Sequence, residues 1–233
     1  MNKNEIEYYA ADLRRQFGFS ENEAIRLKSL LLKEKIITYF TLLDDDFSGM
    51  ALKVSGKRFL LVNSNHSLGR QHFTIAHELY HLYIDKDFGF KKCNGSGKNT
   101  KNERDADLFA SHFLIPKNGV ISLIPESERI RNGIKLSTVI KLEQYYSCSR
   151  AAMLMKLLSL DYIDDTLKEK FSQDIIESAV KLGYPDLLYK PGNNQLIIGD
   201  YGVLANELFQ NDKISESHYA SLMNDIGIDI YKK

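Results

Sequence analysis

The 233-residue sequence contains no tryptophan, four prolines and two cysteines, and its charges cancel, with 31 Lys and Arg against 31 Asp and Glu. The cysteines, Cys93 and Cys148, form no CxxC pair and cannot build the disulfide framework of a secreted domain of this size. The charge balance argues against a chain devoted to nucleic-acid phosphates, which carries a basic excess. No run approaches the roughly 20 apolar residues needed to cross a bilayer. The opening stretch, MNKNEIEYYAADLRRQFGFS, has no apolar core of signal-peptide length. Together these absences predict a cytoplasmic protein with reduced thiols and no membrane partner. What is present, 43% hydrophobic and 27% charged residues, is ordinary for a globular chain with room for one large domain or a medium one with appendages.

Periodicity predicts an α+β order. Ile6, Tyr9, Ala10, Leu13 and Phe17 recur at helical spacing. Ser20, with Glu23 three residues on, reads as a capping box opening a second helix through Ala24, Leu27, Leu30 and Leu31. Three β-rich runs follow, IITYF, GMALKV and RFLLVN, the last two joined by a hairpin turn at SGKR. They predict a small antiparallel sheet of about three strands ending at Asn63. RQHFTIAHELYHLYI reads as a helix, residues 85–102 as a long loop, and ERDADLFASHFLI as a further helix stopped by Pro116. Leu136 to Tyr146, and a segment capped by Ser149 and running to about Leu160, form a helix-turn-helix-like pair. A helix from about Ser172 to Leu182, a β-like QLIIG run and helical pieces around Leu204 and Tyr219 complete the chain. The expected domains are 1–126 for the chemistry, 127–165 for the helix pair, and 166–233 as a small mixed C-terminal lobe.

The chemistry sits in His77-Glu78-Leu79-Tyr80-His81. Residues four apart share a helix face, so His77 and His81 can hold one ion. This is the HExxH arrangement of zinc hydrolases, with Glu78 placed to act on a metal-bound water. Phe73, Ala76, Tyr80 and Tyr83 lie on the opposite, core-seeking face. A chance HExxH occurs in roughly one chain of this length per hundred, but need not lie on a helix with an apolar back or precede a second, acidic helix. Catalytic zinc takes three protein ligands and one open position. ERDAD offers the third: Glu103 on the metal, with Asp107 one turn on hydrogen-bonded to a ligand histidine. Asp105 competes, but points to another side of its helix. Cys93 is a remote further candidate. His66, His72, His112 and His218 read as structural or surface residues.

RQHFTIAHELYHLYI followed by ERDADLFASHFLIP resembles the ImmA/IrrE family of metallo-endopeptidases. The matching positions are Arg70, Phe73, Thr74, Ala76, His77, Glu78, Leu79 and His81, then Glu103, Ala106, Asp107, Phe109, Ala110 and Pro116, with RFLLVN as the preceding strand. The likeness covers roughly residues 5–160. Tyr80 stands where the family usually has glycine, which implies different packing there. The resemblance implies a zincin-like, gluzincin-type core that uses Zn²⁺ to cleave a partner helix-turn-helix transcriptional repressor, often derepressing mobile-element or stress genes. Glu78 would deprotonate the zinc-bound water and pass the proton to the leaving amine. Two other readings compete. One is a metal-stabilised anti-repressor module that sequesters a regulator without cutting it. The other is DNA binding by the helix pair, for which six Lys and Arg against five Asp and Glu over residues 127–165 are a weak footprint; protein recognition suits that unit better.

Overall fold

The computed structural model describes residues 1–86, 91–94 (backbone alone) and 100–232. Helix α1 (Lys3–Gln16) opens on a reciprocal capping box between Asn2 and Glu5 and buries Ile6, Ala10 and Leu13. The Ser20–Glu23 box also forms, with both hydrogen bonds present. The helix expected from it does not follow: α2 spans Leu27–Lys33. The reason is Arg14, 1% exposed, whose guanidinium donates to the carbonyls of Ser20 and Glu23 and, from the other side, of Phe113. Those first two carbonyls are the acceptors a helix starting at Ser20 would need.

The strands β1 (Ile36–Thr41), β2 (Phe47–Val54), β3 (Lys57–Asn63), β4 (Lys91–Asn94) and β5 (Ile197–Ile198) form one sheet in the order β4-β2-β3-β1-β5. The β2–β3 hairpin turns at Ser55 and Gly56, both at positive φ, as a tight primed turn requires. The purely antiparallel three-stranded sheet expected from the sequence is corrected in two respects. The sheet has five strands, and β1 runs parallel to β3. The side chain of Asn63 explains the second. Its amide donates to the carbonyls of Leu43, Asp44 and Phe47 and accepts from the Leu43 amide. The β1–β2 connection is thereby held across the end of β3, so β3 inserts between β1 and β2. Strand β4 arises from the run read as loop and pairs antiparallel with β2. Strand β5, from the QLIIG run, pairs antiparallel with β1.

Helix α3 (Leu68–Tyr83) lies on β2 and β3, and α4 (Lys101–Leu114) packs against both α3 and α1. After α5 (Lys117–Leu123) come α6 (Leu136–Tyr146) and α7 (Arg150–Ser159). The turn between α6 and α7 uses Ser147 at φ 51° and a Ser149 cap on the Ala152 amide. Both cations of α7 are buried: Arg150 grips Glu143 through two hydrogen bonds, and the Lys156 ammonium lies 3.3 Å from His112 Nδ1. Neither can meet a phosphate, which weighs against nucleic-acid recognition by this pair.

The chain continues through α8 (Asp165–Phe171) and α9 (Ile175–Lys181). Residues 189–196 are then stitched back onto α6, α3 and the sheet. Tyr189 donates to Glu143, Gln71 bridges the Gly192 carbonyl and the Asn193 amide, and Phe40 pairs with Gln195 and Leu196. Helices α10 (Tyr201–Gln210) and α11 (Glu216–Asp225) pack on each other through stacked Phe209 and Tyr219. Among the described residues no helix is long and apolar enough to cross a membrane.

Candidate metal centre

Helix α3 forms because Ile75, Ala76, Leu79 and Leu82 give it a buried face. Its two histidines follow from helical spacing. Helix α4 begins with Thr100 capping the Glu103 amide, which places Glu103 in its first turn and Asp107 one turn later. Packing α4 on α3 brings three donor groups together. His77 Nε2 lies 3.1 Å from Glu103 Oε2, His81 Nε2 lies 3.4 Å from His77 Nε2, and His81 Nε2 lies 3.6 Å from Glu103 Oε1. Ligands held tetrahedrally by zinc at about 2.0–2.2 Å stand about 3.3–3.6 Å apart. The triangle therefore has the size such an ion needs.

The contacts of the other ring nitrogens agree. His77 Nδ1 lies 2.9 Å from Asp107 Oδ1, and His81 Nδ1 lies 3.1 Å from Asp85 Oδ2. Each carboxylate accepts from Nδ1–H, which turns the Nε2 lone pair toward the other ring and Glu103. Burial holds His81 below the usual histidine range, against the pull of Asp85, so the neutral ligand form is favoured. Two imidazole nitrogens and a carboxylate converging on one point fit a divalent cation, and His77, His81 and Glu103 could hold one. The supporting carboxylates differ: the Asp107 side chain is 57% exposed and that of Asp85 5%.

Glu78 is buried beside the ligands. Gly49 of β2 lets it sit there: a Cβ on Gly49 would fall 2.5 Å from Thr74 Cγ2, 2.8 Å from the Leu61 carbonyl and 3.8 Å from Glu78 Oε1. Asp105 faces away, 3.0 Å from the Met1 amine. The Cys93 side chain lies outside the described residues. His66 contacts the Asp45 carbonyl, His72 the Ser147 carbonyl, and His112 meets Lys156 and Glu7; all three are structural contacts. Tyr80 is 2% exposed and packs between His81 and Phe109. Burial and the nearby Asp105, Asp85 and Glu103 push its hydroxyl pKa up, so the hydroxyl remains a donor. Sequence reasoning missed Asp85 and Gly49. Asp85 stands four residues after His81, the same spacing that identified the histidine pair; no local signal marked Gly49.

Residues 21–158 match the model of the Peptidase_M78 family, the IrrE N-terminal-like domain. No curated protein matches the sequence. Among solved structures, a Mycobacterium tuberculosis transcriptional regulator is similar at 15% identity and a TM-score of 0.45, over 66% of this chain and 46% of that one. The chain thus spans less than half of that protein's length. Both helical motifs and the sheet strands β1 to β4 lie within the family match, which takes in more than half of the sequence, and the chain belongs to Peptidase_M78, a metallopeptidase family.

Proposed function

We propose that the protein is a zinc-dependent, site-specific endopeptidase that cleaves a regulatory protein, with a helix-turn-helix transcriptional repressor as the expected substrate. The observation that carries this reading is the convergence of His77, His81 and Glu103 beside a buried Glu78. His₂Glu is a known donor set of zinc peptidases with one position left open. A bound Zn²⁺ supplies Lewis acidity, polarising the scissile carbonyl and acidifying water. Glu78 takes the proton of the attacking water on a carboxylate oxygen and returns it to the departing amide nitrogen. Asp107 and Asp85 keep the histidine protons on Nδ1. Residues 166–233 assist in choosing the partner.

The test is Glu78→Gln, which keeps shape but cannot accept a proton. Cleavage of the candidate repressor should fall by about 10²–10⁴-fold, while zinc content and association of the two proteins survive. Derepression in cells that persists at full strength in this variant would establish sequestration instead of hydrolysis. In the same series, Glu103→Ala should weaken zinc binding more than Asp105→Ala; the reverse order would remove Glu103 from the ligand set.

A further inference from the structure

Behind His81, the Asp85 carboxylate is itself held by a chain of hydrogen bonds whose outer members, Asn102 and Tyr80, the peptidase reading does not use. The Tyr80 hydroxyl donates to Asn102 Oδ1 at 3.0 Å, and Asn102 Nδ2 donates to Asp85 Oδ2 at 2.6 Å. The same Asp85 oxygen accepts His81 Nδ1 at 3.1 Å. The direction of the chain is fixed by chemistry. A carboxylate only accepts, so Asn102 must turn its NH₂ toward Asp85 and its oxygen toward Tyr80. The hydroxyl then has to donate. Two donors, the Tyr80 hydroxyl and the Asn102 amide, therefore act in series and meet the His81 Nδ1–H on one carboxylate oxygen, which fixes the tautomer of that ring. The chain joins α3 to the first turn of α4, the helix that carries Glu103. The carboxylate that accepts from His77, that of Asp107, is by contrast 57% exposed.

We propose that Tyr80 is a positioning residue for the metal centre, acting through Asn102 and Asp85 to hold the His81 imidazole with Nε2 toward Glu103 and His77. The proposal rests on the reading of those three residues as the metal site. Tyr80 couples the geometry of a ligand on α3 to the start of α4, so the site is set before an ion arrives. The tyrosine ring alone would serve packing against Phe109 and His81; the hydroxyl is what organises the ligand.

The experiment measures binding of zinc alone, by competition with a chromophoric chelator, to the full chain and to Tyr80→Phe, Asn102→Ala, their double variant and His77→Ala. Tyr80→Phe keeps the ring and should lower zinc affinity about 3–10-fold, the worth of one net hydrogen bond. The double variant should bind no more weakly than Asn102→Ala, since both changes cut one chain. Asp85→Asn, at the far end of the chain, should cost about 10–100-fold, and keeps the test open if a Tyr80 variant folds poorly. With cobalt bound, the visible bands of Tyr80→Phe should differ from those of the parent, a change that altered packing remote from the ligand would not produce. Wild-type affinity and spectrum in Tyr80→Phe, alongside metal loss in His77→Ala, would overturn the relay and leave the metal site standing. Undiminished zinc binding in His77→Ala would overturn the site itself and the relay with it.

Discussion

Gly49→Ala tests whether the close approach of sheet and helix is what holds Glu78 in place. The new methyl carbon would start 2.5 Å from Thr74 Cγ2 and 2.8 Å from the Leu61 carbonyl oxygen, whereas carbon–carbon contacts normally settle at about 3.5–4.0 Å. About 1 Å must therefore open between β2 and α3. The threonine methyl can be displaced with its helix, but the Leu61 oxygen belongs to β3, which pairs with β2 through Met50, and can hardly yield. Overpacking of this kind costs about 1–3 kcal/mol, and the backbone clash favours the upper end. The helix shift that relieves it moves Glu78, and a misplacement of about 1 Å can cost on the order of 10²-fold in rate. Urea denaturation and cleavage of the candidate repressor measure the two effects. Thr74→Ser removes the nearer contact and should recover part of the loss, with a coupling on the order of 1 kcal/mol in a double-mutant cycle. Unchanged stability in Gly49→Ala would refute the packing argument. Lowered stability with full activity would refute the link from Gly49 to Glu78.

Two further outcomes are expected. Burial, helped by the Lys156 charge and opposed by Glu7, depresses His112 to about 4, below its unfolded value, so its contribution is present above pH ~6.5 and is lost as pH falls from there toward 4. His112→Gln should flatten that part of the stability–pH curve by up to about 3 kcal/mol; an unaltered curve in urea titrations between pH 7 and 4 would contradict the assignment. A chain ended after residue 199 keeps β5 and the Gln71 contacts and should still bind zinc, whereas one ended after 165 loses both and should unfold at markedly lower urea; equal midpoints would show that the 189–198 segment contributes nothing to the core.

The candidate site was legible because its donors obey local rules. His77 and His81 share a face by helical spacing alone, and Glu103 and Asp107 repeat the rule on α4. Asp85 obeys it as well, one turn beyond His81, yet was absorbed into a run whose Gly, Asn and Lys content reads as loop. What escaped the sequence depends on partners distant along the chain. Ser20 and Glu23 form their box, but the helix they announce is pre-empted by Arg14, whose preference for their carbonyls no window around residue 20 contains. Alternating apolar residues identified β1, β2 and β3 as strands, but their order was decided by one amide, that of Asn63, gripping the connection between the first two. Gly49 belongs to the same class: its lack of a side chain matters only because Thr74 and Leu61 arrive from two other elements.

The C-terminal segment shows how far this dependence reaches into the site. QLIIG reads as a strand from its own composition, but joins β1 because residues ahead of it are seized by α3. Gln71, fully buried two residues after Gly69, donates to the carbonyls of His66 and Gly192 and accepts from Asn193. The Leu68 amide, at the start of the same helix, donates to the Lys190 carbonyl. The first turn of α3 has no side-chain cap of its own, so one of its open amide groups is satisfied by this strap. The helix that presents His77, Glu78 and His81 is therefore anchored at its N-terminal end by residues more than a hundred positions later in the chain, and at its C-terminal end by Asp85 and Asn102. A helix pinned at both ends cannot rotate its histidines away from Glu103 without breaking hydrogen bonds at one end or the other. That constraint, more than the motif itself, makes the ligand triangle a standing feature of the fold.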